Sequence, residues 1–79
     1  MYDFENRLKQ VMADILEVEI SDIVVDSSPD TIESWDSLQQ LNLVSALEAE
    51  FSIALTPDDI ADMLSYALVR DIVQERLGA

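Results

Sequence analysis

The sequence predicts an all-α protein, a small four-helix bundle of three main helices and a short third helix, with a long loop between the first and second. Three observations predict it. Apolar residues recur three and four apart in separate segments, the spacing of amphipathic helices. Residues suited to starting helices stand just before several of those segments. The only β-branched run, "VEISDIVVD" at residues 18–26, has no second strand to pair with, and a lone strand is not stable.

The first helix is expected over residues 3–17, with Asp3 as its cap. Phe4, Leu8, Val11, Met12 and Ile15 form its apolar face, while Arg7, Lys9, Gln10 and Asp14 fill the other. Residues 18–35, "VEISDIVVDSSPDTIESW", lose that periodicity, and their Ser, Asp and Pro cluster marks a loop. A loop of this length needs anchors, and Ile20, Ile23, Val24 and Ile32 are the expected ones. Asp26, Ser28 and Asp30 are spaced as in an EF-hand, but Thr31 stands where that loop needs Gly and Ser37 where it needs Glu. An EF-hand is therefore excluded.

The second helix is expected over residues 36–51, with Asp36 or Ser37 as cap and Gln39 completing a capping box. Thr56 caps a short third helix over about residues 57–63, with Pro57 at its first position and Asp59 at its third. Ser65 caps the last helix, which ends before Gly78 and buries Tyr66, Val69, Ile72, Val73 and Leu77. Gly78 is expected just past its end.

Seventy-nine residues make a single domain, 1–79, without repeat, linker or low-complexity tract. With no cysteine to staple it and 49% apolar residues, its fold rests on one core. Four basic residues against 17 acidic ones give a net charge of −13. That excludes nucleic acid and anionic membranes, whose phosphates need Lys and Arg. It fits partners with basic docking surfaces, and it also keeps a small protein dissolved. No apolar stretch approaches a membrane span and "MYDFENRLKQ" lacks the apolar core of a signal peptide, so the expected location is the cytoplasm. Asp58, Asp59 and Asp62, with Asp22, Asp26 and Asp30, offer oxygen ligands that gather divalent cations weakly. No dedicated metal site is expected.

The second helix carries two apolar stripes. Leu43, Leu47 and Phe51, bordered by Val44, face the core. Leu38 and Leu41, continued by Ser45 and Glu48, lie elsewhere, since Leu41 and Leu43 point about 200° apart. Either the long loop covers this second stripe, or it is a partner-facing surface.

Ser37 opens that helix. A nucleophilic serine needs a base and an oxyanion hole, and the chain has no His, no Cys, one Lys and one Gly. Catalysis by this chain is not expected. Ser37 is then either a plain cap or a point where an attached phosphate is favoured by the helix N-terminus.

"DSL" at residues 36–38, followed by "LVSALEAEF" at 43–51 and "LTPDDIADM" at 55–63, resembles the acyl carrier protein family, over essentially the whole chain. The resemblance implies that Ser37 receives 4′-phosphopantetheine from a separate phosphopantetheinyl transferase, beside Asp36 of the same motif. The arm's thiol then carries acyl groups as thioesters. It implies a monomeric carrier that docks acyl-transferring or acyl-modifying enzymes through Leu38, Leu41, Asn42 and Glu48. The acyl chain is expected to retreat into a cavity among Leu43, Leu47, Phe51, Met63 and Val69. Ser34 stands where family members commonly carry Gly, beside the bulky Trp35. Asn42 stands where members often carry an acid, another frequent acid falls near Ala49, and Ser45 stands where they carry an apolar residue. These departures suit a specialised fatty-acid or polyketide-type pathway. The alternative is an acidic helical interaction module that is never modified.

Overall fold

Four α-helices and one 3-10 turn run in the order α1 (Phe4–Leu16), the turn (Ile20–Asp22), α2 (Ser37–Phe51), α3 (Pro57–Ala61) and α4 (Tyr66–Gly78). This computed structural model describes residues 4–78. The expected cap Asp3 lies outside them. Among the described residues there is no strand, so "VEISDIVVD" resolves as turns, and the architecture is the expected all-α bundle.

α1 ends where Glu17 turns left-handed, φ 58°. The Val18 N–H then bonds back to the Ala13 carbonyl at 3.1 Å, closing a Schellman-type end without glycine. α2 ends in the same way at Ser52, φ 54°, with Ile53 N–H on the Glu48 carbonyl at 3.3 Å. Two non-glycine residues accept a conformation usually left to Gly, because the alternative is orphaned carbonyls at both helix ends.

The core gathers Leu8, Met12 and Leu16 from α1, Leu43 and Leu47 from α2, and Val69 and Val73 from α4, all at 0% exposure. Burying each such side chain stabilises the fold by about 1.5–3 kcal/mol. Tyr66 ties α4 to α1 by donating its hydroxyl to Glu5 Oε1 at 2.9 Å, and Arg7 on α1 pairs with Glu50 on α2. The latter pair is largely exposed and adds little.

The long loop is a chain of local turns. Its inward positions go to Ile23, Ser27, Ile32 and Trp35, while the expected anchors Ile20 and Val24 are exposed. The reason is hydrogen bonding. Ser27 can be buried because its Oγ accepts from Val24 N–H and donates to the Asp22 carbonyl. Trp35, not expected in the core, is one of its largest buried side chains.

α3 is the expected short helix. Thr56 Oγ1 accepts from Asp59 N–H and Asp59 Oδ2 from Thr56 N–H, a complete capping box with Pro57 at the first position. It ends at Ala61, two residues early, with Asp62 as its C-cap. α4 starts as expected, the Leu68 N–H donating to Ser65 Oγ at 3.2 Å. It continues through Gly78, which is helical rather than just past the end. Leu77 is exposed rather than buried. Arg76 reaches Asp59 on α3 with two hydrogen bonds of 2.8 and 2.9 Å. That fixes the last turn, and Leu77, about 100° further round, faces solvent.

Candidate functional site

Ser37 is the first residue of α2 and is exposed. The cap is Asp36, whose Oδ1 accepts from Gln39 N–H at 2.9 Å. Gln39 does not complete the expected box: its Oε1 accepts from Asn42 Nδ2 instead. Division of labour follows. The aspartate satisfies the first turn, and the serine hydroxyl is left pointing out of the cap network. Among the described residues no hydrogen bond engages it.

The 15-residue α2 places its N-terminal dipole at this serine. A phosphodiester on Ser37 therefore meets partial positive charge and sits clear of the core. These residues fit a phosphate-linked arm. The first turn of α2 holds no acid besides the capping Asp36.

Beside Ser37 runs an open groove of about 440 Å³ between the start of α2 and α3. Its walls include Asp36, Ser37, Ile60 and Ala61, and Trp35 and Met63 lie at its base. The expected cavity residues Leu43, Leu47, Phe51, Met63 and Val69 are all buried, but only Met63 among them lines this groove. Space next to the serine is bounded by the loop and α3, rather than by the centre of the bundle.

Two residues outside the expected site organise the groove. Trp35 Nε1 donates to Gln40 Oε1 at 2.7 Å. Gln40 Nε2 points to the carbonyls of Ile60 and Met63 at 3.4 and 3.5 Å, long contacts that span α2 to α3. The sequence does carry a signal for this. Gln40 falls about 60° from Leu43, inside the core stripe, and a polar group there needs a partner. Ser34, where the resemblance led to an expectation of Gly, does not need glycine's freedom, since positive φ among the described residues is confined to Glu17 and Ser52. Its Oγ donates to the Leu16 carbonyl at 2.7 Å and ties the loop to the end of α1.

The second stripe of α2 is open to solvent: Leu38 is 67% and Leu41 61% exposed. The long loop does not cover them. Asn42 is exposed beside them. Glu48 is only half exposed, and its Oε2 accepts from Leu55 N–H at 2.9 Å. It fastens the connection into α3 as well as carrying charge.

Among the described residues no three potential ligands converge. Asp59 is already spent on Arg76 and Thr56. The Arg76 hydrogen bonds, then the Thr56 N–H, hold its carboxyl at about 2, below the ordinary 3.8. Asp59 in turn raises Arg76.

Residues 6–75 match the family described as "Phosphopantetheine attachment site". A relative, "Acyl carrier protein 2" of Pseudomonas aeruginosa, is 33% identical over 75 residues, covering 95% of each chain. The solution structure of a holo acyl carrier protein from Geobacter metallireducens superposes with a TM-score of 0.83 at 20% identity, covering 92% of this chain and 84% of that one. That likeness bears on the fold. No helix among the described residues is long and apolar enough to cross a membrane.

Proposed function

The chain belongs to the acyl carrier protein family, whose members bear 4′-phosphopantetheine and carry rather than convert their cargo, and from that premise we propose that Ser37 is the attachment residue. The single observation that carries this reading is the separation of roles at the start of α2. Asp36 does the capping, so the exposed Ser37 hydroxyl is available to a transferase.

When bound, the arm supplies a terminal thiol that holds acyl groups as thioesters. What the chain contributes is placement. Ser37 presents its oxygen at the N-terminal dipole, where the phosphodiester charge is favoured. A phosphopantetheinyl transferase has to provide the base, since this chain has no histidine and only one lysine. Leu38 and Leu41 offer an apolar docking face, with Asn42 and Glu48 on its flanks. The net charge of −13 steers enzymes with basic surfaces toward it. The protein acts as a single carrier domain, a monomer in the cytoplasm that docks neither nucleic acid nor membrane. It serves a specialised fatty-acid or polyketide-type pathway, a reading supported by Ser34, Trp35, Asn42, Ser45 and Ala49 at family positions.

The test is intact mass after incubation with a phosphopantetheinyl transferase and coenzyme A. The parent gains one phosphopantetheine and Ser37→Ala gains none. Loading of Ser37→Ala, or a parent of unchanged mass, rejects the assignment; the latter result favours an unmodified interaction module.

A further inference from the structure

The Ser37 hydroxyl makes no hydrogen bond among the described residues, so its neighbours alone hold it in place. On its downstream side α2 is regular and capped by Asp36. On its upstream side residues 31–36 are a run of turns and bends. Two backbone bonds shape that entry turn, Trp35 N–H to the Ile32 carbonyl and Asp36 N–H to the Ser34 carbonyl, both at 3.0 Å. Ser34 Oγ ties it back to the end of α1. Beyond the cap residue itself, its tie to α2 is one side-chain bond that spans the serine: Trp35 Nε1 donates to Gln40 Oε1 at 2.7 Å. Trp35 is 2% exposed, so its N–H has no water to turn to and depends on this acceptor. The other end of the same amide points to the Ile60 and Met63 carbonyls of the α3 region, which keeps the oxygen turned toward the indole.

We propose that Gln40 is a positioning residue for the loading of Ser37: it latches the Trp35 indole, and the latch holds the entry turn so that a transferase meets the serine and the residues before it in one arrangement. The proposal rests on Ser37 being the attachment residue. Gln40 acts through Trp35 rather than on the serine oxygen. Without the latch the entry turn samples other arrangements, and binding weakens in proportion to the fraction that stays competent. Once the carrier is bound in the competent arrangement, the transfer itself is the same. The loss therefore falls on KM for the carrier and not on kcat. One hydrogen bond converts to roughly a two- to tenfold change.

The experiment incubates the full chain with a phosphopantetheinyl transferase at saturating coenzyme A, varies the carrier concentration, and counts product by intact mass, at a temperature below every variant's thermal midpoint. A parent that gains no mass rejects Ser37 and this proposal with it; once the parent loads, the kinetics judge the latch separately. Gln40→Leu keeps the volume and removes the acceptor. Trp35→Phe keeps an aromatic ring and removes the donor. Each is expected to raise KM roughly two- to tenfold with kcat unchanged. The double variant is expected to be no worse than the poorer single, because both break the same bond. Tyr66→Phe is the control: it loses a hydrogen bond between α4 and α1 and is expected to lower the thermal midpoint while keeping the parent's KM. A merely structural role for Gln40 gives that same pattern, a lower midpoint with KM unmoved, and overturns the proposal. So do a loss confined to kcat, effects on KM that multiply in the double variant, and a Tyr66→Phe that raises KM as much as Gln40→Leu. Where Gln40→Leu fails to fold, Trp35→Phe against the parent decides.

Discussion

Leu43 and Leu41 stand two positions apart on α2 and meet opposite surroundings. Leu43 is at 0% exposure, sealed against the core; Leu41 is 61% exposed. Leu47 at 0% and Leu38 at 67% repeat the contrast one turn away on either side. The residue type is the same, so hydrophobicity alone does not decide the outcome. Azimuth does: two positions turn the side chain by about 200°. A helix with apolar residues on both sides is not fully buried in a bundle this small, because only one side has neighbours. The inward face holds the fold together. The outward face, left bare beside an exposed Ser37, is the docking face proposed for partner enzymes.

Truncation is the most forceful way to break this comparison. Leu43→Ala is expected to cost about 2–5 kcal/mol, the loss of buried contacts plus an incompletely collapsed cavity. Leu41→Ala is expected to stay within about 0.5 kcal/mol of the parent, as exposed substitutions do, while slowing acyl transfer with partner enzymes. Thermal and urea unfolding of the two variants measure it. Equal destabilisation places Leu41 in the core and removes the docking face.

The start of α2 sharpens the contrast at a smaller scale. Asp36→Ala removes the acceptor for Gln39 N–H and is expected to cost about 0.5–2 kcal/mol. Ser37→Ala is expected to cost less, because its hydroxyl is outside the cap, and yet to abolish loading. Stability and modification thus part between neighbours. Should Ser37→Ala prove the more destabilising, the serine is a structural cap and its availability to a transferase is lost as an argument.

Acid probes the far wall of the groove. Asp59 is held at about 2 when folded, against an ordinary 3.8. A carboxyl lowered by folding contributes stability in full above its unfolded value and loses it as pH falls toward the folded one. The clamp between α3 and α4 is therefore expected to weaken between about pH 4 and pH 2. Its partner Arg76 is partly open to water, so the effect is screened and smaller than the cap's. Asp59→Asn is expected to flatten that part of the stability curve, as followed by helical signal against pH. An unchanged slope in the variant removes the pair as the cause.

Much of this fold is legible in the amino-acid sequence. The bundle, the α3 capping box and the two stripes of α2 are local or periodic patterns, and a helix reads them out from neighbours three and four residues away. The features that sequence does not reveal depend on particular partners. Ser27 is buried with its hydroxyl bonded to the Val24 N–H and the Asp22 carbonyl, while Val24 is exposed, and apolar content does not forecast that. Leu77 is turned outward by an ion pair that its neighbour Arg76 makes with a residue 17 positions distant. Trp35 looks like a bulky departure beside the DSL motif, and its bond to Gln40 makes it a buried support. Ser37 itself is recognisable only from its motif, since neither periodicity nor charge distinguishes a serine that caps from one that receives a cofactor.

Glu48 gives the finest test, because it stands on the boundary between the two faces. Its carboxylate accepts from Leu55 N–H and also adds charge to the acidic surface. Glu48→Gln separates these roles. The amide oxygen still accepts, so stability is expected to change by no more than about 0.5 kcal/mol. The lost charge is expected to lower the association rate with a basic partner modestly, and added salt is expected to erase that difference as both proteins are screened. Glu48→Lys removes acceptor and charge together and is expected to lose both stability and rate. Stopped-flow association at low and high salt, with unfolding curves for each variant, separates the terms. If Glu48→Gln matches the parent in association rate at low salt, its carboxylate serves the connection to α3 and the docking face ends at Leu41.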